Sequence, residues 1–235
     1  MLKTELLTKI EPFQKKIRHA FRDPMLLLQV FLHRSYLNEH RDFQLEHNER
    51  LEFLGDAVLE LIVTEHLYLT YPNPEGELTN WRSALVKGET LSEVARELGI
   101  EEYLLLSKGE SKSHGKARQL ILANAFEALV GALYLDAGFK GTKSFIKRVL
   151  IVRLEEIFSK QLYIDPKSKL QELMQELRGQ TPLYRVLKEI GPDHNKVFTV
   201  GVYVKRELLG KGEGASKNKA QQAAAKIALD NFERN

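Results

Sequence analysis

Cysteine does not occur anywhere in this 235-residue chain. Its absence excludes disulfides, thiol catalysis and cysteine-based zinc sites, and it is compatible with a reducing cytoplasm, the compartment expected here. No run of 18 apolar residues exists either, so neither a membrane-spanning helix nor a membrane partner is expected. The first residues, Met1-Leu2-Lys3-Thr4-Glu5, bring in an acid early and lack the apolar block of a signal peptide. Internal repeats and low-complexity tracts are missing. Net charge is small, +3, but it is unevenly shared: from Leu162 onward 13 Lys and Arg stand against 9 Asp and Glu, a balance of +4, which leaves the first 161 residues at −1. A near-neutral first part joined to a basic second part suits a C-terminal region that meets a polyanion.

Hydrophobic residues make up 43% of the chain, enough for one sizeable core or for a medium and a small one. The first part reads as successive helices. Short amphipathic helices are expected over Leu6–Ile17 and Pro24–Leu32, then a long one over Asn48–Thr70, stopped by the breaker cluster Tyr71-Pro72-Asn73-Pro74-Glu75-Gly76. Helices follow over Leu78–Val86, over Leu91–Leu98 with Thr90 as cap, over the nearly continuous apolar Arg118–Ala137, and over Phe145–Ser159. Beyond a linker at 160–165 the pattern changes. A helix over Ser168–Arg178 ends at Gly179, strands alternate over Tyr184–Ile190, Val197–Val204 and Glu207–Lys211, Gly212-Glu213-Gly214 ends the third strand, and Ser216 opens an Ala-rich helix to Phe232. The expectation is a multidomain chain: an all-α domain over 1–160, then a small α+β module of order α-β-β-β-α over 161–235.

Within the long helix, Glu49, Glu52 and Asp56 stand at i, i+3 and i+7 among apolar neighbours. At about 100° per residue they share an arc of roughly 60°. Like charges so close repel unless a cation sits between them, and oxygen-only ligands suit a hard ion such as Mg²⁺. A solvated acidic face is the plainer alternative. Glu127, with Asn124 three residues earlier on the same face, sits in the most apolar helix of the chain. There a carboxylate and a carboxamide need partners, either each other across helices or a bound metal.

The run His47-Asn48-Glu49-Arg50-Leu51-Glu52-Phe53-Leu54-Gly55-Asp56-Ala57-Val58-Leu59 resembles the signature of ribonuclease III, the double-strand-specific endoribonuclease. His33-Arg34-Ser35-Tyr36 and Asn124-Ala125-Phe126-Glu127-Ala128-Leu129 are similar to two further family elements, and the C-terminal module to the family's double-stranded RNA-binding domain. The resemblance implies a Mg²⁺-dependent homodimeric nuclease, with Mn²⁺ as a substitute ion, acting on ribosomal and messenger precursors. It makes Glu52, Asp56, Asn124 and Glu127 metal ligands, Asp56 and Glu127 the essential catalytic pair, and Asn48, Glu49 and Glu75 residues that line the site. It makes Phe53 the aromatic that plugs a socket in the partner subunit, and it implies products with 5′-phosphate and 3′-hydroxyl ends and two-nucleotide 3′ overhangs. One departure stands out: Asn124 occupies a position where the family usually has Asp, removing a negative charge while keeping a carbonyl oxygen. The alternative it raises is an attenuated or silent double-stranded RNA binder.

A-form RNA is recognised by shape, across two minor grooves and the phosphates between them. Ser168, Gln171, Glu172 and Gln175 on one helix face suit 2′-hydroxyls, Pro192 and His194 form a loop tip for the next groove, and Ser216, Lys217, Asn218 and Lys219 open a helix whose start suits phosphates. The Gly212-Glu213-Gly214 pattern lacks the strand–turn–helix context of a nucleotide loop. No role is expected for His19, His40, His47, His66 or His114.

Overall fold

The computed structural model describes residues 2–161, 163, 165–192 and 196–233. Contacts separate the chain into two compact units, Met1–Tyr163 and Ile164–Asn235.

The first unit contains α1 (Leu2–Ile17), α2 (Pro24–Val30), α3 (Arg34–Glu39), α4 (Glu49–Thr70), α5 (Glu75–Val86), α6 (Gly88–Glu97), α7 (Gly115–Val149) and α8 (Leu154–Ser159), with short 3₁₀ turns between some of them. Local chemistry sets several starts. Pro24 occupies the first turn of α2, and the Asp23 carboxylate accepts from the Met25 amide. α4 and α7 form the central pair. α4 buries Leu51, Val58, Leu59, Ile62, Val63 and Leu67, and α7 buries an almost unbroken run from Ile121 to Leu133 that Asn124 and Glu127 interrupt. Phe13, Phe31 and Tyr103 close the core beneath α1 with ring centres about 5 Å apart, Phe13 edge-on to both of the others. By length and composition the Gly115–Ser159 stretch could cross a membrane, but 67% of its apolar window is buried inside the unit, as befits a core helix.

Several local expectations are corrected. α1 begins at Leu2 and carries Pro12 inside it. α3 was not foreseen; its start is capped by the His33 ring, which accepts from the Ser35 amide at 3.2 Å. Thr90 is not a cap. It lies inside α6, buried, where its hydroxyl donates to the Ala84 carbonyl at 2.9 Å. The expected Phe145–Ser159 helix is divided: α7 bends at Gly138 (φ 68°), runs on to Val149, and a 3₁₀ turn separates it from α8.

The second unit is α9 (Pro166–Arg178), β1 (Leu183–Ile190), β2 (Val197–Val204), β3 (Glu207–Gly214) and α10 (Lys217–Glu233). The strands form an antiparallel sheet of order β1-β2-β3, so the α-β-β-β-α expectation holds. Asp165 caps α9 through the Ser168 amide, and Gly179 ends it with φ 60°. Val200, Val202 and Val204 alternate along β2 and face inward, where Val202 and Val204 meet Leu170, Met174, Ala224, Ala225 and Ala228. Gly212-Glu213-Gly214 does not end β3. A Cβ on Gly210, Gly212 or Gly214 would stand 2.6, 2.1 or 2.6 Å from backbone atoms of α10, so these glycines continue the strand while admitting the helix against it.

Candidate functional site

Carboxylates gather where α4 and α7 cross. Gly55 on α4 and Gly131 on α7 let the two backbones touch: a Cβ on Gly55 would stand 1.7 Å from the Glu127 carbonyl oxygen, and one on Gly131 2.2 Å from that of Leu51. A mid-helix glycine costs roughly 0.5–1 kcal/mol relative to alanine, a cost explained by the close approach it permits. The contact carries Glu52 and Asp56, on either side of Gly55, up to Asn124 and Glu127.

Electrostatics confirms the juxtaposition. Burial, followed by the Asp56 and Glu52 charges, pushes the Glu127 carboxyl up to about 7. Glu52 is raised as well, first by burial and then by Glu49 and Asp56, while a hydrogen bond donated by the Asn124 side chain works in the opposite direction. In kind, three carboxylates and a carboxamide suit a hard divalent cation. In arrangement, no group of three or more His, Asp or Glu converges on one point among the described residues.

The other expected site residues are placed differently. Glu49 is exposed, with Arg34 Nη1 at 3.5 Å and His47 Nδ1 at 3.8 Å from its carboxylate. Asn48 does not present its side chain at the surface of the site. It is 3% exposed, and its Nδ2 donates to the Val30 carbonyl at 3.0 Å. Glu75 begins α5, accepts from the Thr79 hydroxyl at 2.9 Å, and lines a cleft of about 600 Å³ with Leu67, Tyr68, Tyr71 and Arg82. Fifteen residues of helix at about 1.5 Å each separate Asp56 from Tyr71, so within one chain Glu75 lies roughly 20 Å from the cluster. Phe53 is 83% exposed, and Leu61 and Tyr68 (57% and 75%) share its side of α4 within an arc of about 80°. This is an apolar stripe on an exposed surface.

In the second unit Gln171, Glu172 and Gln175 are exposed on α9, as are Ser168 and Pro192. His194 lies outside the described residues. Lys217, Asn218 and Lys219 are exposed in the first turn of α10, with Lys217 Nζ 5.9 Å from the centre of the Phe198 ring. Ser216 is half-buried and caps that helix, its hydroxyl accepting from the Lys219 amide at 3.2 Å.

Residues 23–154 match the family model described as ribonuclease-III-like, and residues 166–231 match the double-stranded RNA binding motif. The chain belongs to the ribonuclease III family. It is an endoribonuclease whose second unit is a double-stranded RNA-binding domain. Ribonuclease 3 of Streptococcus gordonii is 48% identical over 212 residues, covering 90% of this chain and 91% of that one. Ribonuclease 3 of Protochlamydia amoebophila is 44% identical over 221 residues, covering 94% and 90%. Among solved structures, a Campylobacter jejuni ribonuclease III nuclease domain, studied for flexibility in a region involved in dimer formation, is similar at 36% identity and a TM-score of 0.54; the match covers 60% of this chain and 94% of that one.

Sequence reasoning about this ribonuclease III missed the two glycines that build its acidic crossing. Their signal was present: Gly55 and Gly131 each interrupt an apolar helical run where alanine would be the better helix former. Asn48 was misplaced for a different reason. Position along the chain puts it beside Glu49, but only the packing of α2 shows which way its amide turns.

Proposed function

We propose that this protein cleaves double-stranded RNA in a Mg²⁺-dependent reaction, leaving 5′-phosphate and 3′-hydroxyl ends with two-nucleotide 3′ overhangs, and that its substrates are structured ribosomal and messenger precursors in the cytoplasm. The observation that carries the reading is Glu127, held against Asp56 and Glu52 with its carboxyl pushed up to about 7. Acids forced together in a partly buried crossing are relieved by a cation.

Glu52, Asp56 and Glu127 would hold the Mg²⁺, or Mn²⁺ in its place, with the Asn124 carbonyl oxygen as a further donor. When bound, the ion lowers the pKa of water and neutralises the leaving 3′ oxygen. The protein's own groups do the rest. The rigid α4–α7 contact fixes where the Asp56 and Glu127 carboxylates stand, and the partly buried setting of Glu127 limits water around it. Ser168, Gln171, Glu172, Gln175, Pro192 and His194 bind the duplex grooves, while Lys217, Asn218 and Lys219 hold phosphates at the start of α10, which Ser216 caps.

The working form is a homodimer closed over Phe53. A twofold axis near Leu61 would run the two α4 helices antiparallel and set Phe53 of one copy against the Tyr68–Glu75 cleft of the other. That arrangement would also bring Glu75 to the neighbourhood of Glu52 and Asp56 across the seam, which accounts for its distance from them within one chain.

The test is direct. Purified protein with Mg²⁺ shortens a perfect RNA duplex to staggered fragments, and Glu127→Gln abolishes cutting while leaving binding intact; duplex cleavage that persists in excess EDTA overturns the reading. Asn124, a carboxamide where the family usually has Asp, favours one rival, a silent binder of double-stranded RNA. Comparing the chain with Asn124→Asp across Mg²⁺ and Mn²⁺ concentrations decides between them: activity that appears only after Asp is restored supports the binder.

A further inference from the structure

We infer that Asn48 is a positioning residue for the acidic site: its buried amide pins the start of α4, and that pin together with the Gly55–Gly131 contact sets where Glu52 and Asp56 stand. The inference rests on the nuclease reading above and adds a residue that acts without touching metal or RNA.

An asparagine just before a helix is expected to cap it, its side-chain oxygen accepting from an amide of the first turn. Asn48 makes no such bond, and its φ and ψ of −78° and −6° are already helical. The side chain turns inward instead, 3% exposed, and Nδ2 donates to the Val30 carbonyl at 3.0 Å. Its backbone amide donates to the Leu32 carbonyl at 2.9 Å. Both acceptors belong to the segment that closes α2, and that segment is held from its other side: the Leu105 amide donates to the Phe31 carbonyl at 2.8 Å, the His33 amide to the Leu105 carbonyl at 3.2 Å, and Leu32 and Leu105 form an isolated parallel bridge. Asn48 therefore ties the start of α4 to a fixed strut of main chain.

The geometry gives the tie its purpose. α4 rests on α7 through the backbone contact around Gly55 and a buried face that begins at Leu51, and neither holds the turn before Leu51. Asn48, seven residues before Gly55 and about 10 Å along the axis, ties down that end. Glu52 lies between the two. The Val30 carbonyl is an acceptor within a fully buried residue, so the bond has no ready replacement from solvent.

The experiment uses the full-length protein with Asn48→Ala and Asn48→Asp. Both variants keep the duplex affinity of the parent in EDTA, because the RNA-binding domain is untouched. Cleavage at saturating RNA falls about 100-fold in Asn48→Ala with an unchanged KM, the size expected when reacting groups are displaced by about 1 Å. Asn48→Asp fares no better, since a carboxylate cannot donate to Val30. In the metal-free protein, hydrogen exchange speeds up at the amides of Glu52 and Phe53 in both variants, while the amides of α7 around Phe126 keep their protection. Parental cleavage in Asn48→Ala overturns the inference, and so does Asn48→Asp cutting as well as the parent or better, which would make position 48 a group within the site. Loss of cooperative unfolding in both variants also overturns it, by making Asn48 a support of the whole fold. If the parent itself leaves duplex RNA intact in Mg²⁺, it is the nuclease reading that fails, and the exchange result alone then judges the pin.

Discussion

At the α4–α7 crossing, Gly55 and Gly131 bring two helices into backbone contact; in the RNA-binding domain, Gly210, Gly212 and Gly214 do the same for a strand and a helix. Each contact places charge where the local field opposes it. In the nuclease unit Glu52, Asp56 and Glu127 feel one another's charge, and burial makes that repulsion expensive. In the RNA-binding domain Lys217 and Lys219 sit at the N-terminal, positive end of α10, with no acid in its first turn. The sign differs, and so does the depth. A helix-end charge in water is worth about 0.3–1 kcal/mol and is screened by salt, whereas a partly buried carboxylate shifted this far is worth several times more. Depth decides how strongly each site calls for an opposite charge, a cation in the first and RNA phosphate in the second.

The most damaging way to break the comparison is Gly55→Ala. Its Cβ would overlap the Glu127 carbonyl, and relief requires the two core helices to part. A loss of about 3 kcal/mol or more is expected, seen as a lower denaturation midpoint together with loss of cleavage. Gly212→Ala does the corresponding damage to the second unit, where the Cβ meets the Ala224 amide at 2.1 Å. About 2–3 kcal/mol should be lost there, with duplex binding weakened and the thermal transition of the nuclease unit unmoved.

Glu127→Gln sharpens the comparison by removing charge without changing shape. The folded carboxyl titrates at about 7 against 4.5 in the unfolded chain, so between those values the folded state holds the extra proton. Its contribution to stability is therefore fully present below pH 4.5, is lost as pH rises to 7, and is flat above. Discounted for solvent screening of a partly buried group, the variant should gain about 2 kcal/mol at pH 8 in EDTA and nothing at pH 4. Equal midpoints at both pH values would show that the acids are not strained. Asn124→Asp adds a like charge beside Glu52 and deletes its donor, so a smaller loss of about 1 kcal/mol is expected in EDTA, with half-maximal cleavage reached at lower Mg²⁺. Lys217→Ala and Lys219→Ala change least: each should reduce the slope of log affinity against log salt by about 1 and leave the cleavage rate of saturated enzyme unaltered.

The unequal legibility of these features has physical causes. Periodicity places Glu49, Glu52 and Asp56 on one helical face because 3.6 residues per turn holds wherever the helix packs. Alternation gives the inner face of β2 for a similar reason. The course of β3 through Gly212 and Gly214 was misread because glycine is a local breaker in isolation, and only the approach of α10 turns it into a requirement. α3 escaped notice because its cap is a histidine ring, a side chain rarely used that way. Thr90 has the chemistry of a cap, but a buried carbonyl at Ala84 claimed its hydroxyl. Asn48 shows the same competition at the site itself.

Glu127 has one consequence that reaches into solution chemistry. With its carboxyl pushed up to about 7, the group keeps part of its proton at neutrality. A cation that takes this oxygen must first expel that proton into the buffer. Metal uptake should therefore acidify a weakly buffered sample, and its calorimetric heat should change with the ionisation enthalpy of the buffer.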